Sequence, residues 1–132
     1  MAMGQPAPRG RFVHLYLNGC YWGLYNLCER PNEDFSSSYQ GGRPEVWDSI
    51  NTETAKSGTL TDWSNLKTRV RRTSNLTNYF SLQGKDSQGE RQEAVPQAFN
   101  INHYIDYLLA NMWLGNADWP DKNYWIGWNR GP

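Results

Sequence analysis

No run of apolar residues in this sequence approaches the roughly 20 that cross a bilayer, and the first 20 residues lack the apolar block of a signal peptide. The expectation is a chain with no span or export block of its own. A surplus of one charge is missing too: 13 Lys and Arg balance 13 Asp and Glu, so no net field draws the chain to nucleic acid or an anionic membrane. The one basic cluster, Lys67, Arg69, Arg71 and Arg72, follows helical spacing and reads as a solvated helix face. Cysteine is scarce. Cys20 and Cys28 are too few for a disulfide framework and lack the CxxC spacing of a zinc site. On one extended strand they would lie about 26 Å apart and could not pair. His14 and His103 form no metal-ligand spacing and read as structural, and Gly19 with Gly23, or Gly41-Gly42, lack the spacing of a phosphate loop.

What is abundant is aromatic: seven Trp, eight Tyr and four Phe in 132 residues. Each such ring removes a large area from water, so one domain-sized core is within reach despite few aliphatics. Met1-Ala2-Met3-Gly4 with Pro6 and Pro8 makes residues 1–10 a flexible lead, or an arbitrary start inside a longer chain. Asn18-Gly19 between apolar runs predicts a hairpin over Arg11 to Leu27. In that register Leu17 faces Cys20, Leu15 faces Trp22 and Val13 faces Leu24. Both hairpin faces are apolar, so both are expected to be covered.

Pro31 sits where a first helical residue belongs, followed by an acidic turn at Glu33 and Asp34, and the helix runs to about Tyr39 before Gly41-Gly42. Glu45 to Ile50 reads as a strand and Asn51 to Thr59 as a polar loop. Thr61 caps a helix over Asp62 to Arg72 with Trp63, Leu66 and Val70 inward. Residues 73–97 are rich in turn formers and read as a mobile linker, within which Asn75-Leu76-Thr77 fits a short glycosylation pattern. Ile101, Tyr104, Ile105, Leu108, Leu109 and Met112 recur with the 3.6-residue period of a buried helix, capped by Asn100 and stopped at Gly115. Tyr124 to Trp128 reads as a strand.

Between that helix and that strand, Asp118 and Asn123 have the DxxxxN spacing of a kinase catalytic loop. There a carboxylate accepts hydrogen bonds from the attacking hydroxyl, and an amide oxygen is a hard ligand suited to Mg²⁺. The spacing alone is common in polar loops, where Asx turns produce it.

Two longer stretches add to it. Phe12 to Arg30, with its Asn18-Gly19 turn, Tyr21-Trp22-Gly23-Leu24-Tyr25 and Glu29, resembles the CotH kinase family pattern. Leu114 to Asp118 with Asn123-Tyr124-Trp125 resembles that family's catalytic segment, and Glu45-Val46-Trp47-Asp48 with Trp63 its middle region. The resemblance implies an α+β chain, a fragment of a protein-kinase-like fold: the hairpin of the small lobe, then helices, catalytic loop and a short strand of the large lobe. Residues 11–132 then form a partial domain, missing flanking parts of itself.

By the same resemblance, Asp118 is catalytic, Asn123 binds metal, and Glu29 lies at a hinge beside the nucleotide. ATP with Mg²⁺ or another divalent cation is the implied cofactor, a protein hydroxyl the acceptor, and a secreted or spore-coat location the setting. The sequence departs from a complete site. Only Arg9 and Arg11 stand where a phosphate-holding lysine is needed, and no acidic residue follows Asn123; truncation accounts for both. The rival reading is a non-catalytic surface module holding glycans or proteins on exposed Trp and Tyr. It expects the tryptophans to share an exposed face, whereas the kinase reading expects most of them inside and Asp118 and Asn123 converging on one cavity.

Overall fold

The computed structural model describes residues 4–131. Strand β1 (Gly10–Leu17) and strand β2 (Cys20–Cys28) form an antiparallel hairpin. Helix α1 (Glu33–Gln40) follows, then a single 3₁₀ turn at Pro44–Val46, strand β3 (Trp47–Asn51) and strand β4 (Thr54–Ser57). Helices α2 (Thr61–Arg71), α3 (Leu76–Leu82) and α4 (Ile101–Trp113) precede strand β5 (Trp125–Asn129). Of the lead read over residues 1–10, the first three lie outside the described residues and Gly10 already opens β1.

The hairpin forms where Asn18-Gly19 places it, both residues having positive φ as a tight primed turn requires. Its expected register is corrected beyond the first two pairs. Tyr16 pairs with Tyr21 but Leu15 pairs with Gly23, so Trp22 is an extra residue in a bulge. Gly23, at φ 142°, supplies the backbone that this bulge needs. Val13 therefore faces Tyr25 instead of Leu24. Coverage of both faces is not found either. Phe12 is 70% exposed and Leu27 69%, because the hairpin touches the rest of the described chain mainly at its base. Cys20 and Cys28 stand at opposite ends of β2 as free thiols.

The second sheet has the order β4-β3-β5, all antiparallel, and carries the core. Its centre is β3, where Trp47, Asp48, Ser49 and Ile50 are all buried. Trp125 packs edge-on against Phe35 of α1 at 5.8 Å between centroids, and its indole N–H donates to Ser49 Oγ at 2.9 Å. Ile50, the α2 residue Leu66 and the α3 residue Leu82 are the other buried apolar residues among those described. Asn32 caps α1, accepting from the Phe35 N–H at 2.8 Å. Pro31 thus lies before the cap, not at the first helical position, because the Asn carboxamide competes better for that end.

Four other expectations change. Glu45 belongs to the 3₁₀ turn, so the strand starts at Trp47. The loop expected over Asn51 to Thr59 holds β4, since β3 supplies a pairing edge even to a polar segment. Thr61 is already helical, and the cap position is Leu60 without a side-chain bond. Val70, expected inward, is exposed.

Within 73–97, Asn75 caps α3 by accepting from the Asn78 N–H, and the rest is knotted by its own polar groups. Asp86 accepts from the N–H groups of Gln88 and Glu90, and the Arg91 guanidinium donates to the carbonyls of Gly84, Gln92 and Val95. The Leu82 carbonyl accepts from both Ala98 and Phe99, at 3.0 and 2.9 Å, which closes the neck of this loop. Helix α4 begins at its Asn100 cap as expected, but no residue of it is buried. Its Leu109, Met112 and Trp113 face open space.

Candidate active site

Helix α4 ends where Gly115 takes a left-handed turn at φ 60°, a conformation that glycine adopts without a Cβ penalty. The loop is tied back onto the helix by a ladder of amides. Asn116 donates to the Asn111 side-chain oxygen at 2.8 Å, and Asn111 donates to the Tyr107 carbonyl at 2.8 Å. Trp119 meets Tyr107 edge-on at 6.0 Å. Burial, first of all, pushes the Tyr107 hydroxyl above its ordinary range.

Asp118 and Asn123, five residues apart, close on each other: Asn123 Nδ2 donates to Asp118 Oδ2 at 2.8 Å. The turn between them is held by the Lys122 N–H on the Asp118 carbonyl at 3.0 Å. Asn123 has φ 59°, in the left-handed region that asparagine tolerates better than most residues. Using its amide N–H₂ on Asp118 leaves the amide oxygen with no hydrogen-bond donor among the described residues. Both side chains are exposed, and they converge on each other beside a cavity instead of lining it. That cavity, about 510 Å³, is walled by Trp119, Tyr124, Tyr107, Trp63 and Trp128.

The far end of the loop is fixed from β3 and β4. The Thr52 N–H donates to the Tyr124 carbonyl at 3.3 Å, and the Tyr124 hydroxyl donates to Glu53 Oε1 at 2.9 Å. Glu53 also accepts from Trp63 Nε1 at 3.2 Å and from the Lys67 ammonium. The bond from Lys67 holds the Glu53 carboxyl below the usual range, against a desolvation that raises it. Sequence reasoning missed Glu53. Its partners lie 10, 14 and 71 residues away, and no local motif links them.

Glu29, the third expected site residue, is not brought to this loop. Its carboxylate accepts from the Arg9 backbone N–H at 2.9 Å and the Tyr39 hydroxyl at 2.8 Å, at the base of the hairpin. Those two bonds, the Arg9 one first, lower its pKa. Arg9 lies over the Tyr39 ring at 5.6 Å, so it is occupied at this base. His14 Nδ1 pairs with the Tyr21 hydroxyl at 3.2 Å. Among the described residues no three His, Cys, Asp or Glu side chains gather as a metal cage.

The donor set at the loop suits Mg²⁺ in part. An amide oxygen and a carboxylate are hard ligands, and Mg²⁺ is ordinarily held by one or two protein oxygens plus substrate phosphates and water. The tryptophans divide. Trp47 is buried, Trp63, Trp119, Trp125 and Trp128 are half-buried around the cavity, and Trp22 and Trp113 are exposed on different elements.

An exposed helix end, a polar turn with an Asp–Asn pair and an aromatic strand thus follow one another along this part of the chain. The chain belongs to the CotH kinase protein family, whose model matches residues 1–131. No curated protein and no solved structure matches it. Membership suggests kinase-like function and, in general, use of a nucleotide, a divalent metal and a protein substrate; the family name is that of a spore-coat protein. No helix among the described residues is long and apolar enough to cross a membrane.

Proposed function

We propose that this chain carries the catalytic loop of a CotH-type atypical protein kinase, which transfers phosphate from ATP to a protein hydroxyl at a cell or coat surface. The observation that supports this most is the 2.8 Å contact between Asn123 and Asp118 in the loop of a family member. In this reading Asp118 accepts a hydrogen bond from the acceptor hydroxyl and orients it. Asn123, anchored through its N–H₂, offers its oxygen to the cation that neutralises the phosphates. Glu29 is assigned the hinge beside the nucleotide, supported by its place at the exit of the hairpin.

The 132 residues hold neither a lysine on a strand before the hairpin nor an acidic residue after Asn123. Alone, they are expected to leave ATP intact. In a chain extended to hold both groups, Asp118→Asn should lower phosphotransfer by at least about 100-fold. Asn123→Ala should raise the Mg²⁺ concentration needed for half-maximal rate. Undiminished transfer in Asp118→Asn would remove the assignment.

A further inference from the structure

Glu53 occupies a turn that its sequence does not favour. Asn51 pairs with Thr54, so Thr52 and Glu53 form a two-residue connection with φ 43° and 65°. Such turns are usually made by Asn-Gly, because left-handed φ costs other residues about 1–2 kcal/mol each. A β-branched threonine and a glutamate there are strained, and strain of this kind is retained where a side chain is needed in place.

Here the Glu53 side chain accepts from three residues at once: Trp63 and Lys67 on α2, and Tyr124 just before β5. The same turn grips Tyr124 a second time through the Thr52 N–H. Tyr124 is held at both its carbonyl and its hydroxyl, one residue after Asn123. Backbone freedom at Asn123 is thereby limited from its C-terminal side, while the Asn111-Asn116 ladder limits Asp118 from the other.

We infer that Glu53 is a positioning residue for the Asp118–Asn123 pair, acting through Tyr124 to fix where the Asn123 amide oxygen points. The functional half of this inference rests on the phosphotransfer reading of that pair; the structural half does not. Glu53 touches neither the acceptor nor the cation. Its part is to keep the loop from sampling other geometries before a nucleotide arrives, which is the preorganisation that an electrostatic site requires.

The test uses the full 132-residue chain in NMR. The readouts are the side-chain amide signals of Asn123 and their exchange with water, with Ile50 methyl signals as the control for an intact core. Glu53→Ala and Tyr124→Phe should each speed exchange of the Asn123 amide about fivefold, the equilibrium worth of one ordinary hydrogen bond. Glu53→Gln keeps the Oε1 acceptor for Tyr124 and Trp63 and should restore most of the protection. Unchanged Asn123 signals in both Glu53→Ala and Tyr124→Phe, with Ile50 undisturbed, would overturn the inference. So would a Glu53→Gln chain that behaves like Glu53→Ala.

Titration with Mn²⁺ alone, read as paramagnetic broadening, addresses the underlying reading separately. Broadening at Asn123 that weakens in Glu53→Ala supports the functional half. Broadening only at other carboxylates overturns that half while leaving the amide-exchange result to decide the positioning.

Discussion

Replacing Arg130 by alanine should destabilise the fold more than a surface substitution normally does. Asp48, on the central strand, is completely buried; its Oδ1 accepts from the Thr59 N–H at 2.8 Å and forms an ion pair with Arg130 Nε at 3.1 Å, and its Oδ2 has no partner among the described residues. Breaking a buried ion pair from one side typically costs about 3–5 kcal/mol, because the remaining charge is left uncompensated. The Arg130 side chain is 38% exposed and the Thr59 bond survives, so solvent screening brings the expectation down to about 2–3 kcal/mol. At an ordinary urea dependence that lowers the unfolding midpoint by about 1–2 M.

Combining Arg130→Ala with Asp48→Asn should cost less than the sum of the two, because the charge that Arg130 neutralises is then gone. A midpoint shift worth less than about 0.5 kcal/mol for Arg130→Ala would refute the argument, and so would full additivity in the double variant. Gly58→Ala probes the same spot. A Cβ there would lie 2.0 Å from Asp48 Oδ1, on a backbone already at φ 71°, so this substitution should destabilise at least as strongly.

Other outcomes follow from the loop and from Glu53. The Glu53 carboxyl is held below its ordinary range, chiefly by Lys67, so its contribution to stability is present above about pH 4.5 and is lost as pH falls through the lowered folded-state value. Acid unfolding followed by circular dichroism should therefore show a shallower loss in Glu53→Gln than in the wild type, and an identical profile would contradict it. At Asn123, whose φ is 59°, glycine should keep thermal stability while alanine lowers it by about 1 kcal/mol. Calorimetry showing alanine equal to glycine would mean that the left-handed backbone is not retained in solution.

The elements legible in advance were those with local signals. Asn18-Gly19 sets a hairpin by itself, Asn100 caps α4, and the aromatic run after Asn123 pairs as β5. What stayed hidden depends on distant partners. Thr54 to Ser57 is a strand only because β3 offers an edge, and Trp22 bulges only because Gly23 can take φ 142°. The apolar stripe of α4 correctly gave the helix, but its burial does not follow from periodicity, since a stripe names the face to be covered and not the group covering it.

The site divides in the same way. Asp118 and Asn123 lie within one turn of chain, so their closeness was legible from spacing, whereas the roles assigned to them come from the family resemblance. Glu29 was placed by resemblance at a hinge, and its hydrogen bonds are to Arg9 and Tyr39. Glu53 had no spacing to read, because it meets Tyr124 only after the sheet has closed.

The neck at Leu82 has a consequence for how much this fold can vary. With Ala98 and Phe99 both bound to one carbonyl, residues 83–97 leave the body of the protein and return to the same point. Closing such an excursion depends only logarithmically on its length, and a doubling costs about 0.6 kcal/mol. A peptide tag or an entire small domain could be spliced between Asp86 and Glu90, with the entry and exit strands of the graft already held together. The Asp118–Asn123 loop, anchored through α4 and β5, would not register the insertion.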